Sequence, residues 1–498
     1  MLTSPISPIR QILFSLIFCA TATIAPSVVH AQNFQNLDFE ILCDSFPTGL
    51  CGWGVSWGKA GALRPVAIDG GHALQIQGAT AQSVGFAEQT STIDTHAVQI
   101  VTCSGRIKVD SVIGKGAGLN LGLYDADDQL VTTKDAGGFY SLDWIKGSTG
   151  WKTTTIQAVC PVSAVTVKLG AILYGQGSAW FDDFAVQMTP IADRRPSPLA
   201  RAYCTAALDT IMTHALVRDS LVREELLDVA LHIAGPAATY AECHLAIGYM
   251  IESLRQFGDH HSFLMTPEEV RHWEGGDGET EVEYPAHALK DHCGYLALPG
   301  FHAGDSLLAR AFADSLQQAI RDLYAEGIRG WIVDLRQNTG GNMEPMIAGL
   351  GPLFDSGELG FLVDVNQHAE SWRYADGVYY WEDEPGLTVS DPVALPQRLP
   401  IAVLTSHQTG SSGEIVVLSF VGNTQTRSFG QATWGLTTGN GGYDLPDGAR
   451  IMLSSTVMAD RHGRAYYGPI DPDVPIAVSA TTTGDPVLQA AIEWIARQ

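Results

Sequence analysis

Lysine nearly vanishes from the second half of this chain. Lys290 is the only one after Lys168, and none follows it. Any reaction that needs a lysine amine beyond residue 290 is therefore excluded. Basic charge is scarce throughout: 29 Lys and Arg stand against 54 Asp and Glu, a formal net charge of −25. That balance repels nucleic acid and anionic lipid surfaces, so no nucleic-acid partner is expected. After residue 31 no run reaches the ~18 apolar residues of a membrane span, which argues against membrane insertion. No CxxC pair and no clustered Cys/His spacing occurs, so the sequence carries no zinc signature, and no metal or cofactor is expected.

What is present fits an exported multidomain protein. With 498 residues, 45% hydrophobic and 17% charged, the chain is long enough for two or three cores of ~100 to 200 residues. Arg10, the apolar run ILFSLIF and the small-residue end at Val29-His30-Ala31 form a three-part export signal over 1–31, cut after Ala31. The mature protein is then periplasmic or secreted. Phe18 before Cys19 is too bulky for a lipid-attachment box. Seven cysteines remain after cleavage, so at least one is unpaired within the chain. Cys43 with Cys51 and Cys103 with Cys160 are the favoured disulfides of an exported all-β segment.

Residues 33–190 alternate short apolar segments such as GLNLGLYD and VKLGAILYG with Gly, Asp and Asn clusters, the pattern of a β-sandwich. NLDFE and SAWFDDFAV resemble the first and last strands of carbohydrate-binding jelly rolls. A glycan at this domain is the ligand that resemblance implies, with Trp53, Trp57, Trp144 and Trp151 as stacking platforms or, alternatively, as core. Asp182 and Asp183 are either calcium ligands or a polar strand end. TPIADRRPSP marks a boundary. Residues 198–275 then carry apolar positions three and four apart, a helical subdomain, and 276–498 alternate strands with helices, an α/β layered core.

Two turns in that core draw attention. LPIAVL leads into TSHQTGSSGEIVVLSF, so Ser411 sits where a strand turns into a helix, beside the unpaired N–H groups that open it. It is either a nucleophile favoured by the helix dipole or an N-cap supported by Glu414. GWIVDLR leads into Gln337-Asn338-Thr339-Gly340-Gly341-Asn342, where two glycines leave backbone amides open. Both turns follow parallel-type strands and so belong at one carboxyl edge of a sheet.

Together with GDHHSFL, GYLALPGF, FGQATWGLTTGN and GPIDPDVPI, these motifs resemble, from Ala202 to Val478, the serine peptidases that include tail-specific C-terminal-processing proteases, the tricorn core and the interphotoreceptor retinoid-binding repeats. The resemblance implies a crotonase-like α/β core with a helical N-terminal subdomain. It implies Ser411 as nucleophile and an oxyanion hole from the Ser412 amide with Gly340 or Gly341. The tail-specific branch uses a lysine base, but Leu436 stands at that place. The tricorn-like branch uses a histidine in Asp-x-His-Ser/Thr, and Asp259-His260-His261-Ser262 points to His261, with His407 as rival. Tyr467 stands where that branch has a glutamate, leaving Ser262, Asp471 and Asp473 as groups to orient the imidazole. Too few positions separate His261 from Gly294 for a PDZ domain of ~90 residues. The implied function is a serine peptidase acting on a peptide or protein, its rate rising across roughly pH 6 to 7 as an ordinary imidazole loses its proton. A carrier of small apolar ligands on the same fold, or a glycan-binding adhesion protein, is the alternative.

Overall fold

A computed structural model describes residues 29–30, 34–55, 62–68, 70–80, 83–93, 96–135, 144–275, 282–478 and 484–498. The export segment 1–31 and Trp57 lie outside the described residues, save for Val29–His30, which pairs with Met188 and Gln187.

The N-terminal region is a curled, nine-stranded antiparallel sheet. Its frame is a pair of long strands, Gln99–Tyr124 and Thr166–Pro190, hydrogen-bonded along most of their length. Strands this long must bend, and the ladder slips at Asp110/Ile113 and Gly114/Gly116, opposite Gly175 and Gly177 at positive φ. A Cβ at Gly175 would fall 2.1 Å from the Ile113 carbonyl oxygen, so the bend requires glycine. Trp53 is fully buried and meets Phe39 and Phe184. Trp144 is buried with Val84, Phe86 and Ile172. These two rings are used in packing, and Trp151 lies under the Arg106 guanidinium. Arg106 also pairs with Asp182 at 2.8 Å and Asp183 at 2.7 Å, which makes them an ion-pair cluster.

One expected disulfide is overturned by strand register. Cys103 pairs with Ile156 and Cys160 with Gln99, four rungs apart, or about 13 Å at ~3.3 Å per residue. A disulfide tolerates Cα separations of only ~4.4 to 6.8 Å. Cys43 and Cys51 are different: each thiol acts on the other, holding Cys43 below the usual thiol range and raising Cys51. Cys204 and Cys243 also touch, thiol to thiol, inside the helical subdomain. Non-reducing peptide mapping of the protein isolated under oxidising conditions should recover Cys43 joined to Cys51, with Cys103 and Cys160 as separate thiols. A Cys103–Cys160 peptide would contradict the register.

The helical subdomain contains Pro198–His214, Arg223–Ala234 and His244–Glu252. Ser197 opens it, its hydroxyl accepting from Ala200 N at 3.0 Å ahead of a proline at the first helical position. Its apolar face is shared in two directions. Ile100, Val159 and Ile191 approach from the β-region, and Leu445, Ala449, Ile451 and Leu453 from a sheet of the core. The 190/198 boundary is thus also an apolar seam.

The core holds a six-stranded sheet in the order Ala286–Lys290, Cys293–Ala297, Gly330–Asp334, Ile401–Thr405, Thr426–Gly430, Val474–Pro475. From Cys293 onward neighbours are parallel. Every residue of Gly330–Asp334 and Ile401–Thr405 is buried, as central parallel strands covered on both faces must be. Trp331 and Val333 face the helices Ser306–Ala325 and Met343–Leu350, and Ile332 faces Pro486–Ile495. Pairing of Ala297 with Asp334, and of Asp334 with Leu404, brings the turns after these three strands out side by side. A second, seven-stranded sheet includes Phe263–Met265, Thr438–Asp444 and Arg450–Asp460.

Candidate active site

The two turns singled out in the sequence are stitched together. Thr409 Oγ1 donates to Leu335 O at 2.8 Å, Gly410 N to Asn338 O at 3.0 Å and Ser412 Oγ to Gly341 O at 2.6 Å. Ser411 stands between them at φ 53°, ψ −123°, outside the extended conformation of an ordinary N-cap. Its N–H donates to Glu414 Oε2 at 2.8 Å. Glu414 therefore holds the turn, as the capping reading required, while the backbone of Ser411 adopts the strained form found at nucleophile elbows.

The amides decide which glycine can serve. Gly340 N–H donates to Asn338 Oδ1 at 3.0 Å and is committed. No hydrogen bond from the Gly341 or Ser412 N–H is found among the described residues. A Cβ added at Gly340 would lie 2.7 Å from Ser411 Cβ and 3.0 Å from Ser412 N. The missing side chain is what leaves space beside the serine.

Glu414 is wholly buried, and burial raises its pKa. It accepts from Thr433 Oγ1 at 2.5 Å and Gly435 N at 2.8 Å besides Ser411 N. One carboxylate thus ties the serine to segment 433–436. Leu436 Cδ1 lies 3.8 Å, and Trp434 Cβ 3.4 Å, from where a Cβ on Gly410 would be. An apolar leucine occupies the wall, and Trp434 keeps half of its surface exposed.

His261 lies in a loop pinned by Asp259, whose Oδ1 accepts from the N–H groups of His261 and Ser262, both at 3.0 Å. Its Nδ1 contacts Thr438 Oγ1 at 2.8 Å, and its carbonyl accepts from Asn440 Nδ2 at 2.9 Å. The ring is enclosed but partly open to solvent. Burial pushes its pKa down to about 4, opposed by the charge of Asp259 and a backbone contact at Thr438. This corrects the ordinary imidazole value assumed from sequence.

The three proposed orienting groups are not on the imidazole. Ser262 Oγ donates to Asp259 Oδ2 at 2.6 Å, Asp473 accepts from Ser428, and Asp471 is exposed. The hydroxyl that meets the ring is that of Thr438. Its only signal in the sequence was its position inside TWGLTTGN. Tyr467 is 85% exposed, and His407 is exposed as well. Lys290 pairs with Cys293, the first residue of its parallel strand, and sits over the Tyr295 ring at 3.9 Å. It is thus at the amino edge of the sheet, a five-residue strand or about 16 Å from the carboxyl edge. His302 was not foreseen. Its Nε2 contacts Thr339 Oγ1 at 3.1 Å beside the glycine pair, and burial, then the charge of Lys115 from the β-region, lowers its pKa to about 4.

The structure thus brings the serine turn and the glycine turn together on a layered α/β core, with His261 held in a partly enclosed loop beside Thr438. Residues 292–476 match the family model described as Peptidase family S41. Over that stretch the chain is similar to S41 peptidases, in keeping with the resemblance carried by its motifs. A nisin-resistance protein of Lactococcus lactis subsp. lactis is 28% identical over 333 residues, 67% of this chain and 96% of that protein. The chloroplastic C-terminal processing peptidase of Tetradesmus obliquus is 25% identical over 215 residues, 43% of this chain and 40% of that one. Among solved structures, a lipoprotein from Streptococcus agalactiae is 26% identical with a TM-score of 0.49, covering 60% of this chain and 96% of the other. No helix among the described residues is long and apolar enough to cross a membrane.

Proposed function

We propose that this chain is an exported serine peptidase in which Ser411 attacks the peptide carbonyl and His261 Nε2 accepts the hydroxyl proton. The amides of Gly341 and Ser412 receive the developing oxyanion, and the imidazolium then protonates the departing amine. Water hydrolyses the acyl-serine by the same steps in reverse roles. The observation that carries this reading is the vacancy beside Ser411 made by Gly340, bordered by the Ser412 amide. The distance of Lys290 from the carboxyl edge and the presence of Leu436 both favour a serine–histidine pair over a serine–lysine pair. The curled β-region is read as a jelly roll, the core as crotonase-like, and 33–190, 198–275 and 276–498 as the three units. A fluorophosphonate should label Ser411 alone in the native protein, mapped by peptide sequencing. Labelling elsewhere, or none on folded protein, would refute the assignment.

The depressed imidazole sets the pH profile. A base that stays neutral down to about pH 4 keeps kcat/KM level through neutrality and moves its acid limb to that region. The unfolded imidazole binds a proton near ~6.5 while the folded one resists, so this residue's effect on stability becomes adverse as pH falls from ~6.5 towards 4. Rates measured from pH 3.5 to 8, with folding checked by circular dichroism, should show a limb well below 6; a limb centred near 6.5 contradicts the buried base.

A further inference from the structure

His261 ends a chain of side chains whose hydrogen-bond directions can be worked out from the far end. Asp259 Oδ1 can only accept, and it faces Ser454 Oγ at 2.9 Å. A second acceptor near that hydroxyl, Asn440 Oδ1 at 3.2 Å, also cannot donate. The Asn440 amide is oriented by its Nδ2 donating to His261 O. Ser454 therefore spends its one hydroxyl proton on an acceptor-only atom, and the carboxylate is the stronger and nearer. For the 3.2 Å contact between Thr438 Oγ1 and Ser454 Oγ to be a hydrogen bond, Thr438 is then the donor. With its own proton used, Thr438 can only accept from His261 Nδ1, 2.8 Å away.

We infer that the Thr438–Ser454–Asp259 chain locks His261 in the tautomer with the proton on Nδ1, leaving Nε2 bare as the basic atom. The chain takes the place of the single carboxylate that orients histidine in other serine hydrolases. It does so without placing a charge on the ring. Asp259 is held in turn by four donors: the N–H groups of His261 and Ser262, Ser262 Oγ and Ser454 Oγ. Ser262 Oγ also accepts from Ser454 N at 2.8 Å, so the donors and acceptors of this knot are matched. Thr438 and Ser454 are positioning residues, and their effect on turnover rests on the peptidase reading above. The tautomer itself does not.

The test separates the two. In full-length protein labelled with 15N-histidine, the His261 signals are assigned by their loss in His261→Gln. They should report a protonated Nδ1 and a bare Nε2 near neutral pH. Thr438→Val, of nearly the same shape, should shift the ring towards the opposite tautomer and lower kcat at least ~10-fold with KM within about twofold, while Thr438→Ser restores both. Ser454→Ala should give a smaller loss of the same kind, because the threonine hydroxyl is then free to turn. A wild-type ring protonated on Nε2, or a Thr438→Val protein with unchanged tautomer, overturns the inference. If the wild type cleaves no peptide, the nitrogen signals still decide it.

Discussion

Replacing Ser411 by alanine is expected to lower peptide turnover by ~10^4- to 10^6-fold, the loss seen when a nucleophile that works as a unit with its base is removed. His261→Ala should cost at least ~100-fold, the low end of what a positioned base supplies. The double variant should be little worse than Ser411→Ala, since each residue works only through the other. His407→Ala and Lys290→Ala provide the contrast and should leave the rate nearly unchanged, the first because the ring is exposed and the second because it lies at the opposite edge of the sheet. Burst kinetics with an activated ester on each folded variant would measure all five. Near-normal turnover in His261→Ala, together with loss in Lys290→Ala, would overturn the serine–histidine assignment.

Gly340→Ala should reduce kcat by ~10^2- to 10^3-fold, comparable to deleting an oxyanion donor. The added methyl group would lie 2.7 Å from Ser411 Cβ, 2.9 Å from Gly410 O and 3.0 Å from Ser412 N, so it occupies the space a tetrahedral carbon and its oxygen would need. The backbone there has φ 101°, which adds a destabilisation of about 1–3 kcal/mol. Gly341→Ala should fail differently. Its methyl group would meet the Phe301 carbonyl oxygen at 2.1 Å and carbon at 2.6 Å, where the bridge to Phe301 leaves no room to yield. The first variant should remain folded and inactive, the second should lose stability before activity can be judged. Thermal melts alongside steady-state rates distinguish them, and an active Gly340→Ala protein would rule out the proposed oxyanion geometry.

Local pattern carried much of this architecture. LPIAVL is a continuous apolar run and GWIVDLR opens with Trp, Ile and Val, and the strands Ile401–Thr405 and Gly330–Asp334 within them are buried at every residue. The turns that follow them each fit an N-cap or a plain Gly-rich turn as well, and were singled out only because several ordered motifs occur together. What stayed hidden depends on contacts between distant residues. Thr438 meets His261 across 177 positions and Ser454 meets Asp259 across 195, and no local periodicity announces such a pairing. The same applies to Cys103 and Cys160, whose separation is set by the register of two long strands. The tryptophans were ambiguous for another reason: an aromatic ring suits a core and a sugar equally well, and only burial tells them apart. The low pKa of His261 likewise follows from enclosure, which composition does not reveal.

The positive φ of Ser411 has a bearing on how this chain would change over time. An L-residue with φ 53° and ψ −123° holds a conformation that glycine adopts freely, so folding alone would favour glycine there. The serine persists against that drift only while its hydroxyl is needed. A descendant freed from cutting peptides would be expected to shed the side chain at this position early and gain stability in doing so. If Ser411 is the nucleophile proposed above, the occupant of position 411 is a gauge of whether a lineage still makes its living by catalysis.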